Sequence, residues 1–107
     1  MTDFRDRERA EEAKFAHDED MAFRIHARRN RLLGMWAAER MGLNAAEADA
    51  YAKSVVQADF EESGDEDVVR KLLGDLTMAG IDADDGEVRA ALEATEVEAR
   101  RALMGGV

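Results

Sequence analysis

The sequence predicts an all-α fold, and its composition and the spacing of its apolar residues both support that prediction. The 107 residues include no proline and are rich in Ala, Glu, Arg and Leu, which lose little side-chain freedom in a helix. β-branched and aromatic residues nowhere alternate along a run, so no strand pattern competes. We expect a four-helix bundle, residues 19–107, preceded by a mobile N-terminal segment, residues 1–18, that can become helical.

Residues 1–18 are poor in core-forming side chains and yet suited to a helix. Apart from the first residue, the bulky apolar side chains are Phe4 and Phe15, too few to offset the entropy of ordering. A helix would set both on one face, and Arg7 and Glu11 are one of several opposite-charge pairs at i,i+4. We therefore expect a segment that is disordered or frayed when free and helical on a partner. The alternative is a frayed helix start without a role.

The first helix of the body is expected from about Glu19 to Met41, and Gly42 is the left-handed residue that would end it. We place one apolar stripe on its inner face and two further residues at the edges of that stripe. The stripe comprises Met21, Ile25, Leu32 and Trp36, and the edge residues are Leu33 and Met35. Gly34, in mid-helix, costs about 1 kcal/mol relative to alanine, and helix propensity does not explain it.

Three shorter helices follow, and each has its own start and stop signals. The start signals are capping boxes of Asn44 with Glu47 and of Ser63 with Glu66 (or Asp65 alone), and Asp84 and Glu87 start the fourth helix. The second helix should end near Glu61, the third at Gly80 in a Schellman motif, and the fourth before Gly105. The expected core residues are Leu32, Trp36, Val55, Leu72, Leu73, Leu76, Val88 and Leu92.

The charge is unevenly distributed, and it excludes some partners. The net charge is −10, and a basic stretch over residues 21–41, net +4, separates acidic stretches over residues 1–20, net −4, and 42–107, net −10. An acidic surface repels nucleic acid and anionic lipid, so we expect neither as a partner. The sequence has no cysteine, no apolar run long enough to span a membrane and no signal peptide. We therefore expect no direct membrane insertion and a cytoplasmic location.

The residues of catalytic and metal sites do not occur in a useful pattern, so we expect no enzyme, no metal and no cofactor. The histidines are His17 and His26, and no nucleophile, base and orienting group stand out together. Residues 82–93 resemble a calcium-binding loop, but glycine stands at the fifth position rather than the sixth, and Arg89 takes an apolar position. An acidic helix start explains these residues more simply.

Four arginines of the first body helix form a basic cluster. By helical spacing Arg24, Arg28 and Arg31 line one flank of the apolar stripe, and Arg29 falls almost within it. In one interpretation the arginines neutralise the acidic later helices, with Arg29 pairing across a helix interface. In the other, the chain is a small acidic helical-bundle module whose Arg24, Arg28 and Arg31 weakly bind a nucleotide or another phosphate ligand.

Several motifs resemble those of one known family. The most specific is ARRNRLLGMWAAE at residues 27–39. The others are RERA at residues 7–10, KFAHD at residues 14–18, and DF at residues 59–60 leading to GDEDV at residues 64–68. Together they resemble the zeta inhibitor subunit of α-proteobacterial F-type ATP synthases over residues 4–80, and beyond Gly80 only the helical pattern agrees.

The resemblance implies an inhibitor of ATP hydrolysis with an inhibitory N-terminal segment and a four-helix body. In this family the segment enters a catalytic subunit interface of the synthase head beside the rotor stalk, becomes helical and blocks rotation. The implied partners are the catalytic head and the rotor stalk, and the protein would be peripheral at the inner membrane through the synthase. The implied contact positions are Phe4, Arg5, Arg7, Glu8, Glu11, Glu12, Lys14 and Phe15.

Overall fold

The protein is a bundle of four α-helices. The computed structural model describes the backbone of residues 2–61 and 64–104 and the side chains of residues 19–59 and 64–104. The helices are α1 (Thr2–Arg40), α2 (Ala45–Glu61), α3 (Asp65–Met78) and α4 (Asp85–Leu103). No strand occurs within the described ranges, so the predicted all-α fold is confirmed. The same ranges contain no helix with the length and apolar character needed to cross a membrane.

α1 is the central helix and packs mainly between α2 and α4. α4 runs antiparallel to it: Arg40, at the end of α1, pairs with Glu87, at the start of α4, whereas Met104 lies beside Met21. The molecule measures 66 × 27 × 26 Å because α1 is far longer than its neighbours. Residues 2–18 extend beyond the end of α4 by about 26 Å, at about 1.5 Å per helical residue.

The N-terminal segment belongs to α1. Its predicted capacity to form a helix is confirmed for the backbone of residues 2–18, and the helix continues from them to Arg40 without interruption. The segment and the first body helix are therefore one element, since no proline or glycine separates them. The side chains of residues 1–18 lie outside the described residues. The mobility of the free segment and the boundary between residues 18 and 19 stay predictions.

The predicted helix ends are confirmed for α2 and α4 and for the C-terminal ends of α1 and α3, whereas α1 begins at Thr2 rather than near Glu19. Gly42 and Gly80 adopt φ values of 71° and 78° and end α1 and α3. Asn44 and Glu47 form the reciprocal capping box, with hydrogen bonds of 2.9 and 3.0 Å. Asp84 caps α4 by accepting the backbone N–H three residues further on at 2.8 Å. These local signals depend on a few neighbouring residues, so the sequence displays them directly.

The start of α3 differs from both predictions. Its N-cap is Gly64, which makes no side-chain cap hydrogen bond, and Asp65 is already helical. Ser63, the other predicted cap, lies outside the described residues. Glu66, assigned to a capping box, instead accepts two hydrogen bonds from Arg89 of α4 at 2.7 and 2.9 Å. Those bonds hold the pKa of Glu66 below its usual value, and they tie the start of α3 to α4.

The predicted core is confirmed on α2, on α4, on most of α3 and at Ile25 of α1, and the rest of its position on α1 is corrected. Leu33, expected at the edge of the stripe, is fully buried together with Ala37, whereas Trp36 is only partly buried and Met35 is 41% exposed. Of the predicted core residues, Val55, Leu72, Leu76, Val88 and Leu92 are buried, and Leu32, Trp36 and Leu73 are partly buried. The buried face of α1 is therefore rotated from the predicted stripe toward Leu33 and small residues such as Ala37.

A close crossing of α1 and α2 at Gly34 explains this rotation. A Cβ placed on Gly34 would lie 2.6 Å from Ala52 Cα and 3.2 Å from Val55 Cγ2, so the backbone of α2 occupies that space. Helices that approach so closely bury small side chains at the crossing, and bulky ones such as Trp36 are displaced to its rim. The mid-helix glycine that propensity did not explain is thus a packing requirement.

We expect Gly34→Ala to destabilise the bundle, although alanine favours a helix by about 1 kcal/mol. The added methyl group meets the backbone of α2, which cannot move aside as a flexible side chain could. The expected net loss in the free energy of unfolding is about 1–3 kcal/mol, measured by urea unfolding followed by circular dichroism. Gly74→Ala is the matched control, because a Cβ there has nothing within 4 Å. An equal or greater stability for Gly34→Ala would contradict the close crossing.

Candidate functional site on α1

The predicted partner-binding positions all lie in the part of α1 that extends beyond the bundle. Phe4 and Phe15 stand on helical backbone, as their predicted common face requires, but their side chains lie outside the described residues. Helical periodicity carries the same face on to positions 22, 29 and 33. Because Arg29 and Leu33 are buried, the face that bears the two phenylalanines leads directly into the core face of α1.

Arg29 is the buried centre of a polar network. Its side chain is 1% exposed, and Nη1 lies 3.0 Å from Asp65 Oδ1 of α3 and 3.5 Å from Glu96 Oε1 of α4. Nε and Nη2 donate to Asn30 Oδ1 at 3.1 and 3.0 Å. The predicted pairing of Arg29 across a helix interface is thus confirmed, and it joins the middle of α1 to both α3 and α4.

The other three arginines have different surroundings. Arg24 pairs with Asp20 of its own helix at 3.0 Å. Arg31 reaches Asp49 of α2 at 2.8 Å, and this hydrogen bond, supported by a neighbouring lysine, lowers the pKa of the Asp49 carboxyl. Arg28 forms no ion pair with any of the described side chains. The predicted neutralisation of the later acidic helices therefore holds for Arg29 and Arg31. It does not hold for Arg24, whose partner is on its own helix.

Arg28 and Arg31 border a groove between α1 and α2 with a volume of about 510 Å³. Its lining residues are Ala27, Arg28, Arg31, Lys53, Val56 and Gln57. The structure therefore brings together two of the three arginines predicted to bind a phosphate ligand, and Arg24 is not part of the lining. Lys53 was missed because its place depends on how α2 packs against α1, which no local pattern reveals.

These observations define a class of protein: a small, acidic four-helix bundle whose central helix extends far past the body. The chain belongs to the family of ATPase inhibitor zeta subunits, since the family model described as ATPase inhibitor subunit zeta matches residues 1–102. The resemblance seen in the motifs is confirmed, and the match continues beyond Gly80, where the motifs had ended. Membership of an inhibitor family supports a regulatory role.

Comparisons with individual proteins agree with the fold. A protein whose structure was determined by solution NMR is similar to this chain, with 48% sequence identity and a TM-score of 0.70. The similarity covers 81% of this chain and 99% of that one. No curated protein matches the chain significantly.

We expect Arg29→Ala to be more destabilising than Arg31→Ala. Removing the buried guanidinium leaves Asn30 and two carboxylates without their donor and opens a cavity, a loss of about 3 kcal/mol in the free energy of unfolding. Arg31 and Asp49 are both about half exposed, so their pair contributes at most about 1 kcal/mol. Urea unfolding of the two variants measures the difference. Equal losses would show that the buried network does not hold the three helices together.

Proposed function

We propose that the chain inhibits ATP hydrolysis by the F-type ATP synthase by inserting residues 2–18 as a helix at a catalytic subunit interface near the rotor stalk. The observation that carries the proposal is the continuity of α1, which reaches from the core of the bundle to Thr2. Membership of the ATPase inhibitor zeta family supports the inhibitory role. A helix lodged between a stationary subunit and the rotor would block rotation, so hydrolysis would stop.

The dimensions of the molecule suit the insertion of residues 2–18 into a narrow cleft. An α-helix with its side chains is about 10–12 Å wide, whereas the bundle is 27 × 26 Å in cross-section. A cleft between subunits that admits the extended part of α1 would therefore exclude the body, which limits the depth of insertion. In this proposal the partners are the catalytic head and the rotor stalk, and the protein acts from the cytoplasmic side, peripheral to the inner membrane.

The direct test compares the full chain with a version that begins at Glu19, measuring ATP hydrolysis by the purified synthase head. We propose that inhibition needs residues 1–18, so the shortened version should not inhibit at any concentration at which the full chain does. The circular dichroism melt of the shortened version is its control, because a version that does not fold says nothing about the segment. Full inhibition by a folded version that begins at Glu19 would refute the proposal.

Within the segment, we expect Phe15→Ala to weaken inhibition of ATP hydrolysis by at least about tenfold, equivalent to about 1.4 kcal/mol. Burying an aromatic ring in a cleft typically contributes more than an exposed charge pair, which contributes at most about 1 kcal/mol. Lys14→Ala is the matched control and should have the smaller effect. Titrating each variant against the synthase head gives the ranking, and the thermal midpoint of the bundle should not change. Undiminished inhibition by Phe15→Ala would contradict the anchoring role.

A second candidate function is suggested by the groove between α1 and α2. Arg28 has no described carboxylate partner, and with Arg31 and Lys53, which share Asp49, it places three cations around a space of about 510 Å³. Arginine forks and lysine ammonium groups suit phosphate oxygens, so we infer that the groove can hold a nucleotide or another phosphate ligand. Such a ligand would bind the body, and it could therefore regulate an inhibitor that acts through residues 2–18.

We expect Arg28→Ala to weaken ATP binding by about tenfold, the loss of one charge-assisted hydrogen bond of about 1.4 kcal/mol. Arg24→Ala is the matched control, because Arg24 belongs to the same helix flank but pairs with Asp20 outside the groove. Calorimetric titration with ATP and with ADP measures both variants. Equal affinities for Arg24→Ala and Arg28→Ala would place any nucleotide elsewhere.

A further inference from the structure

The end of the bundle from which the N-terminal part of α1 emerges carries an exposed apolar surface. Two adjoining grooves, of about 220 and 440 Å³, share Arg100 and Met104 at the end of α4. Met104 is 57% exposed, and Val97, in the second groove, is 49% exposed. We call this surface the end patch, and its residues are Met21, Ala22, Val97, Arg100, Arg101 and Met104.

The end patch begins at Ala22, which lies on the face of α1 that bears the two phenylalanines. Position 22 follows position 15 by seven residues, which is about two turns and about 10 Å along a helix. The backbone between them is continuous helix, so the patch begins where the phenylalanine face reaches the body. A surface that contacted position 15 and continued along this face would next meet Ala22 and, beside it, Met104.

The end patch also carries positive charge in a part of the chain that is otherwise acidic. Residues 42–107 carry a net charge of −10, yet Arg100 and Arg101 stand next to each other at the end of α4. Neither forms an ion pair with a described side chain, and both are exposed. A contact surface for the patch would therefore combine an apolar side chain with one or two carboxylates.

We propose that the end patch is a second docking surface for the synthase head, seated on the rim of the cleft that receives residues 2–18. This inference rests on the proposed function, because it needs the segment to be inserted there. α1 is continuous from position 15 to Met21, which lies beside Met104, so insertion to full depth would bring the patch against the rim. The partner surface is an apolar side chain flanked by carboxylates that face Arg100 and Arg101.

Met104→Glu and Arg100→Glu test this docking surface in the full chain. Each should weaken inhibition of ATP hydrolysis by at least about fivefold, since a buried contact is lost and like charges are brought together. Met78→Glu and Arg70→Glu are the matched controls. Met78 is 89% exposed and lies next to the turn into α4, at the opposite end of the bundle, and the Arg70 side chain is 75% exposed. The controls should inhibit as the parent does, and all four variants should keep its thermal midpoint.

The outcomes separate this inference from the proposed function. If Phe15→Ala weakens inhibition but Met104→Glu and Arg100→Glu do not, the docking surface is refuted and the inserted segment stands. If the folded version that begins at Glu19 still inhibits, the proposed function fails whatever the end patch does. Stronger inhibition by Met104→Glu would mean that the patch holds the chain's own N-terminal segment, which also refutes it. A dimer of the parent chain that Met104→Glu abolishes in sedimentation would assign the patch to a second copy instead.

Discussion

The close crossing of α1 and α2 at Gly34 is the constraint on which the rest of the bundle depends. The α2 backbone occupies the space that a Cβ atom on residue 34 would need, so only glycine fits at this point of α1. The contact therefore fixes the rotation of α1 about its own axis. That rotation places Leu33 and Ala37 in the core, and it determines which face the N-terminal part of the helix carries out of the bundle. A local packing requirement thus sets the orientation of a segment some 30 Å away, at about 1.5 Å per residue.

Arg29 stabilises the same rotation of α1 through its ion pairs and hydrogen bonds. Burying a guanidinium group costs several kcal/mol, and Asp65 and Glu96 offset that cost only while α1 faces α3 and α4 in this orientation. If α1 were rotated, Arg29 would lose both carboxylates. Among the described residues the network is not fully satisfied, because Asn30 Nδ2 is buried and finds no hydrogen-bond partner there. We therefore attribute to the network a role in selecting one arrangement rather than a large gain in stability.

The sequence predicted features that depend on neighbouring residues, and it missed features that depend on contacts between helices. The Asn44–Glu47 box, the glycine stops and the core residues Val88 and Leu92 of α4 were predicted, since each depends on neighbours within one or two turns. The inner face of α1 was misplaced because bulky apolar residues were favoured over alanines, and only the approach of α2 shows that small residues are needed there. Likewise the groove residue Lys53 and the partner of Glu66 depend on how helices pack, which the sequence pattern does not contain. The positions between Phe4 and Phe15 were predicted from motifs alone.

The continuity of α1 also lowers the free-energy cost of ordering residues 2–18 on a partner. The costly step in helix formation is the first turn, which fixes several residues for one hydrogen bond, whereas each later residue adds a bond at little net cost. The body of α1 is held by the core and by Arg29, so it supplies that first turn permanently. Residues 2–18 then need only propagate an existing helix, supported by their i,i+4 charge pairs. A segment with few apolar side chains gains little free energy from a partner, and it can bind well only if its ordering costs little. Attachment to a packed helix meets that condition, which explains why no glycine or proline separates the segment from the bundle.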